Sequence, residues 1–341
     1  MAQSPPELGP NPRILVIRLS ALGDTLLTLP AVALLRDRFP GAHIGFLTDA
    51  RHAELLDGVE TIDQVLILDR LALKRARRAA IAGLWRDLLR PLVGGKWDAV
   101  IDFQSYTETA ALGAMTRAGV RVGRRYKTTA SWLYRPWIDA PHPETYMPFA
   151  HADTLVEAGL IADPPSTLDL YFTPSVQART AWATTLAGLR LSPAAPRIAL
   201  FVGAAREDRR WPAERFAELA MALDRQAATP PNFLVLAGPS ESAVAEAVIA
   251  AGAPISDRLV RAPTASLHEL AAAFSDCSMA ICNDTGPLHL SIAVGTPTCG
   301  IYRRPLAHFL APPPHRSVVA PELRVDQIPL EDVLSSVAEL T

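Results

Sequence analysis

Short apolar runs recur along the chain, separated by polar stretches rich in glycine and proline, and their spacing predicts strands alternating with helices. Arg13 to Arg18 reads as a strand with polar ends, followed by a loop to Gly23 and a helical run from Asp24 to Phe39. Pro30 lies inside that run and is expected to kink it or to mark the start of its regular part. Further strand-like runs lie at His43 to Thr48, Gln64 to Leu68, Ala99 to Phe103 and Val120 to Gly123. The pattern breaks around Asp163-Pro164-Pro165, and Pro174 and the stretch Pro193 to Pro196 interrupt the next thirty residues or so. A second series then runs through a strand at Arg197 to Val202, a helix from about Pro212 to Asp224 and a strand at Phe233 to Ala237. It continues with a helix near Ser242 to Ala251, Leu259-Val260, a helix near Leu267 to Ser275 and a strand at Met279 to Cys282. A short helix carrying Pro287 in its first turn and ended by Gly295 leads to a strand at Thr298 to Tyr302. The last helical stretch, Leu330 to Leu340, is able to pack on either series. Such alternation predicts parallel sheets with helices on both faces. Two series of similar size predict an α/β chain of two Rossmann-like, doubly wound domains facing a cleft, residues 1–172 and 173–341.

Composition narrows the function classes. A hydrophobic content of 49% with 20% charged residues is that of an ordinary globular protein. The formal net charge of −2 gives no general case for nucleic acid, so an anionic ligand must be met by local basic groups. Cys277, Cys282 and Cys299 lack metal-ligand spacing and form no CxxC, which points to inert thiols in a reducing, cytoplasmic compartment. Met1 to Pro12 is polar and proline-rich, unlike a secretion signal, and no stretch is long enough to span a bilayer. Surface contact with a membrane stays open.

Three turns concentrate chemistry. After the strand ending at Cys282, Asn283-Asp284-Thr285 supplies oxygens able to accept from the free N–H groups opening the next helix. Within one turn, Asp284, Thr285, Gly286 and His289 offer a carboxylate, a hydroxyl, bare amides and an imidazole where parallel sheets bind ligands. A well-capped helix with His289 as an ordinary surface histidine is the bland alternative. After the first strand, Arg18 to Asp24 has one glycine where a dinucleotide fingerprint needs GxGxxG, which counts against an NAD-type dehydrogenase. Asp24 opens a helix, whose N-terminus favours an ionised carboxylate, so it suits either a proton acceptor or a simple cap.

In the second series, Gly203, Ala204 and Ala205 are expected to let a ligand approach the backbone, with Arg206, Arg209 and Arg210 at the same rim. Salt bridging to Glu207 and Asp208 is the competing use. Two basic stretches lie earlier. Arg70, Lys74, Arg75, Arg77 and Arg78 suit a solvated helix face, whereas Arg121, Arg124, Arg125 and Lys127 follow a strand and better suit an anionic acceptor. No D-x-D pair, HExxH or Cys/His cluster is present to hold a metal. A leaving diphosphate is then expected to rely on amides, a helix N-terminus and arginine, with no metal and no cofactor.

Three blocks resemble glycosyltransferase family 9, the ADP-heptose lipopolysaccharide heptosyltransferases of Gram-negative bacteria. They are RLSALGDTLLTLP from Arg18, GAAREDRRWPAERFAEL from Gly203 and NDTGPLHLSIAVGTP from Asn283. The resemblance implies a GT-B fold and inverting, metal-independent transfer of heptose from ADP-heptose to a lipid-linked inner-core acceptor. It implies Asp24 as the catalytic base. Arg209 stands in the place of a donor-phosphate-binding lysine, and Asp284, Thr285, Gly286 and His289 match the donor-binding turn. Ala204-Ala205 stand where hydroxyl residues often contact phosphate. The first domain would bind the acceptor and the second the donor, at the cytoplasmic face of the inner membrane and with no role for nucleic acid. A transferase using another nucleotide sugar, a sugar-nucleotide epimerase, or a non-catalytic nucleotide-sugar binder remain alternatives.

Overall fold

The computed structural model describes residues 7–76, 78–126, 130–142, 144–163, 167–168 and 170–340, with backbone alone at 78–80. The expectations for the first six residues, Arg77, Lys127 and the Pro164-Pro165 link lie outside the described residues, and the side chain of Arg78 is likewise not described. The chain forms two compact units, Met1–Asp169 and Leu170–Thr341.

In the first unit, strands β1 (Arg13–Ile17), β2 (His43–Asp49), β3 (Gln64–Leu68), β4 (Ala99–Asp102), β5 (Val120–Arg125) and β6 (Trp137–Asp139) form one sheet. Its order is β3-β2-β1-β4-β5-β6, and every pairing is parallel. The helices are α1 (Leu22–Arg38), α2 (Arg70–Arg75), α3 (Arg78–Gly94), α4 (Thr107–Met115) and α5 (Met147–Glu157). In the second unit, β7 (Arg197–Phe201), β8 (Asn232–Leu236), β9 (Leu259–Arg261), β10 (Met279–Asn283), β11 (Thr298–Tyr302) and β12 (Arg316–Val319) repeat the arrangement as β12-β11-β10-β7-β8-β9, again all parallel. Its helices are α6 (Val176–Gly188), α7 (Ala213–Gln226), α8 (Ser242–Ala251), α9 (Leu267–Ser275), α10 (Gly286–Ala293) and α11 (Leu330–Ala338).

In each sheet the chain leaves the first central strand in one direction and later crosses back to the other side of it. In the first unit that switch lies between β1 and β4, and in the second between β7 and β10. A switch point opens a crevice at the strands' carboxyl ends, where ligands of such sheets bind. The central strands are apolar because helices cover them on both faces: β8, β10 and β11 are buried throughout. Ile198, Leu200, Phe233, Val235, Ile281 and Ile301 pack with Trp211 and Phe216 in the core of the second unit. α11 settles onto α7 and β12 of that unit.

The pattern misses the short edge strands β6 and β12, which have three and four residues and bury only one each. α1 begins two residues earlier than Asp24, and Pro30 lies within an undivided helix. Pro30 is buried, and α1 continues past the N–H it lacks. Gly295, which ends α10, has φ +84°, a left-handed conformation that a side chain disfavours.

Candidate active site

In the first unit, the loop after β1 carries Asp24 on the opening turn of α1. One carboxylate oxygen, Oδ2, accepts the Ala21 N–H at 2.7 Å and lies 2.8 Å from Arg18 Nη2. Asp24 thus caps the helix through the backbone and also holds an arginine, while Oδ1 makes no hydrogen bond among the described residues. Arg18 is itself held, donating from Nη1 to the Phe103 carbonyl at 2.6 Å.

The neighbouring β4 loop braces the same turn. Gln104 Oε1 accepts from the amides of Leu19 (2.8 Å) and Ser20 (3.1 Å), and its Nε2 donates to Ser20 Oγ at 3.0 Å. Asp102 accepts from the amides of Gln104 and Ser105 and from the Tyr134 hydroxyl. Burial holds the Asp102 carboxyl above its ordinary range, with Tyr134 and these amides partly offsetting it. The sequence pattern did not single out Gln104 or Asp102. Their one signal was position, at the end of the strand across the switch point from β1.

The three arginines assigned to an acceptor site separate. Arg124 is buried and gives its guanidinium to Thr154 Oγ1 and to the carbonyls of Asp139 and Ala150. Arg121 donates to the carbonyls of Leu133 and Ala118. Both are already committed to holding loops, which narrows that expectation to Arg125. Arg125 lies over the Trp137 ring at 4.2 Å, pairs with Asp139 at 3.0 Å and remains exposed. In the other basic stretch, Arg70 bonds buried Asp49 at 2.7 Å, so that residue is more than a solvated face.

In the second unit, the β7 loop and the β10 turn meet at the switch point. Asn283 does not cap α10. Its Oδ1 accepts the Trp211 N–H at 3.0 Å and its Nδ2 donates to the Val202 carbonyl at 2.8 Å, fastening the β7 loop to β10. Thr285 occupies the N-cap position of α10, yet no side chain accepts from the first-turn amides; its hydroxyl donates to the Asn283 carbonyl instead. Pro287 has no N–H and the Leu288 N–H donates to the Thr285 carbonyl at 3.1 Å, so at the positive end of α10 the Thr285 and Gly286 amides are the ones suited to an anion.

Arg209 Nη1 stands 3.5 Å from Asp284 Oδ2, with side chains 41% and 14% exposed respectively. Burial holds the Asp284 carboxyl above its ordinary range, and Arg209 pulls it partly back. His289 is buried in α10, with its ring 5.8 Å from that of Phe309, rather than on the surface.

Gly203 has a packing reason of its own. A Cβ there would collide with the Glu241 carboxylate, so the missing side chain makes room for Glu241. Glu241 is buried, accepts the Gly238 N–H at 2.9 Å and lies 4.0 Å from Arg210. It follows β8 and carried no signal in the sequence pattern. Ala204 is buried and its carbonyl accepts from Arg210 Nε, leaving Ala205 exposed. Asp208 is gripped by Arg206 and lies 3.4 Å from Arg303, a residue after β11 that the sequence pattern also passed over.

The three cysteines are free and buried, and burial pushes the thiols of Cys282 and Cys299 up to about 12. Among the described residues no group of three or more His, Cys, Asp or Glu is arranged to hold a metal ion. No helix of the described residues is long and apolar enough to cross a membrane.

The model of glycosyltransferase family 9 (heptosyltransferase) matches residues 85–322. Lipopolysaccharide heptosyltransferase 1 of Salmonella typhimurium is 25% identical over 85% of this chain and 88% of its own. Its Escherichia coli counterpart is 26% identical over 85% of this chain and 87% of its own. Among solved structures, the glycosyl transferase family 9 protein from Veillonella parvula superposes with a TM-score of 0.79 at 22% identity, covering 96% of this chain and 97% of that one. E. coli heptosyltransferase WaaC with ADP gives 0.78 at 21% identity, covering 96% of this chain and all (100%) of that one. The fold is accordingly the two-domain α/β architecture of these heptosyltransferases. With the family match spanning more than half of its length, the chain belongs to glycosyltransferase family 9, the heptosyltransferases.

Proposed function

We propose that this glycosyltransferase moves heptose from ADP-heptose to a lipopolysaccharide inner-core acceptor, with inversion and without a metal. The observation that carries the reading is the β10 turn: the Thr285 and Gly286 amides at the α10 N-terminus, with Arg209 and Asp284 3.5 Å apart. A similar fold has been solved with ADP and with ADP-2-deoxy-2-fluoro heptose. On this reading the second unit holds the donor through Gly203, Ala204, Ala205, Arg209, Asp284, Thr285, Gly286 and His289. The first unit supplies the acceptor side, Asp24 as base and Arg125 as its accessible cation. On the same reading residues 1–172 take the acceptor role and residues 173–341 the donor role.

The acceptor hydroxyl attacks the anomeric carbon from the face opposite ADP while Asp24 Oδ1 takes its proton, a contribution of typically ~10²–10⁴-fold. Negative charge grows on the diphosphate as the glycosidic bond breaks. Arg209 and the α10 amides stabilise it, taking the part a divalent ion plays elsewhere. Arg18 and Gln104 fix the turn that presents Asp24. Because the acceptor is lipid-linked, the enzyme works in the cytoplasm in peripheral contact with the inner membrane. The test is incubation of ADP-heptose with a deacylated inner-core acceptor, following product stereochemistry by NMR. Transfer giving the inverted glycoside supports the proposal. Isomerisation of donor without acceptor would identify an epimerase instead, and transfer only from a UDP- or GDP-sugar would refute the donor assignment.

A further inference from the structure

Arg303 follows the last residue of β11, while Asp208 lies in the 3₁₀ turn Glu207–Arg209 of the β7 loop. In the sheet β10 separates these two strands. The 3.4 Å approach of Arg303 Nε to Asp208 Oδ2 therefore passes over the carboxyl end of β10, where the Asp284–Gly286 turn and the α10 N-terminus lie. Arg303 Nε is buried and makes no hydrogen bond among the described residues, although its side chain as a whole is 23% exposed. Asp208 is hydrogen-bonded by Arg206 instead, at 3.0 and 2.7 Å. The Arg206 hydrogen bonds hold the Asp208 carboxyl below its ordinary range, and the charges of Arg206, Arg303 and Arg209 add to this. Three guanidinium groups thus converge around two carboxylates, Asp208 and Asp284, beside the Thr285 and Gly286 amides at the start of α10.

A buried cationic donor without an acceptor is unfavourable, and a group with several anionic oxygens relieves it better than a carboxylate already bonded elsewhere. We propose that Arg303 is a further ligand of the donor's diphosphate, and that Asp208 holds it in place while competing with the diphosphate for it. Arg303 then stabilises the leaving ADP from the β11 side as Arg209 does from the β7 side. Asp208 in turn limits how tightly the product is retained. This inference rests on the donor site proposed above, but its test separates the two.

The experiment is calorimetric titration of ADP, AMP and inorganic pyrophosphate into wild type, Arg303→Gln, Arg303→Lys, Asp208→Asn and the Arg303→Gln/Asp208→Asn double variant, with melting temperatures alongside. Loss of a charge-assisted contact predicts ADP and pyrophosphate binding weakened about 10-fold in Arg303→Gln and less in Arg303→Lys, with AMP changed less than about 2-fold. Asp208→Asn should tighten ADP binding about 3-fold or more, and that gain should largely vanish in the double variant. A gain of equal size on both backgrounds would reduce Asp208 to a general charge effect and overturn the proposal. So would an Arg303→Gln enzyme binding ADP and pyrophosphate like wild type. If Arg303→Gln does not fold, Arg303→Lys paired with Asp208→Asn decides by the same coupling. Wild type that binds pyrophosphate in an Arg303-dependent way but not ADP would keep this anion site and sink the nucleotide reading.

Discussion

Asp24 and Arg18 form an ion pair of 2.8 Å in which both side chains are largely shielded, 19% and 11% exposed. The shared oxygen is Oδ2, which also accepts the Ala21 N–H, so the carboxylate is oriented through one oxygen while Oδ1 stays open to a proton. This arrangement suits a base whose direction is fixed by its neighbours. It also means that Asp24 has a structural task, and the two roles have different signatures.

Asp24→Asn keeps an oxygen able to accept from Ala21 but leaves Arg18 without its anion. Turnover should fall by at least ~10²-fold, the low end for loss of a general base. Stability should fall by about 1–3 kcal/mol, the range for losing a hydrogen bond to a charged group. ADP affinity should stay within a factor of about 2, because the residues proposed to bind the donor belong to the other unit. Transfer rate, melting temperature and ADP titration on the one variant decide the matter. An Asn enzyme with wild-type turnover would remove Asp24 from the chemistry.

Arg209→Ala should weaken ADP binding about 10- to 100-fold, as expected where a guanidinium meets phosphate oxygens. It should also leave the half-buried Asp284 without its cation. Treatment with EDTA should leave transfer largely intact if arginine and helix amides neutralise the diphosphate. Abolition by chelator with recovery on adding Mg²⁺ or Mn²⁺ would be fatal to the metal-free mechanism.

Arg124 and Arg125 are adjacent in sequence, yet exchanging them for smaller residues should have opposite consequences. Arg124→Ala strips partners from Thr154 and two carbonyls in a buried setting and should cost about 3 kcal/mol or more of stability. Arg125→Ala should change stability by less than about 1 kcal/mol, since its pair with Asp139 is exposed. Its effect should appear as a raised KM for a phosphorylated or carboxylated acceptor. Unchanged acceptor kinetics in Arg125→Ala would take Arg125 out of the acceptor site.

His151 gives a pH dependence with a definite sign. Burial, then the charges of Arg18 and Arg124, hold its imidazole well below the ordinary value near 6.5. Folded His151 is therefore neutral where the unfolded chain has begun to take up a proton. Its contribution is complete above about pH 6.5 and is lost as pH falls below that toward the folded value, with a limiting slope of about 1.4 kcal/mol per pH unit. Urea denaturation between about pH 7.5 and about pH 5.5, spanning the unfolded value, should show this loss in wild type and a flatter profile in His151→Gln. Parallel profiles would mean that another group sets the acid response.

The apolar runs made the strands and their alternation with helices legible, because a strand covered on both faces has to be apolar along its length. That was enough for the two doubly wound series, and the blocks at Arg18, Gly203 and Asn283 were enough for the family. The short edge strands β6 and β12 escaped because three or four half-exposed residues carry no such pattern.

What each polar side chain touches was a different matter. Asn283 looked like part of a helix cap and instead fastens Trp211 and Val202; Gly203, singled out for ligand approach, also makes room for Glu241. Arg124 and Arg125 carry the same charge side by side, and only strand pleating sends one inward and the other to solvent. The sequence by itself determined the family, the strand series and the chemical types available in each turn, since these follow from local pattern. The tertiary structure decided which of those groups meet: Gln104 with Ser20, Arg209 with Asp284, Arg303 with Asp208. Parallel sheets bring together the carboxyl ends of strands far apart in the chain, and no local pattern encodes a contact of that range.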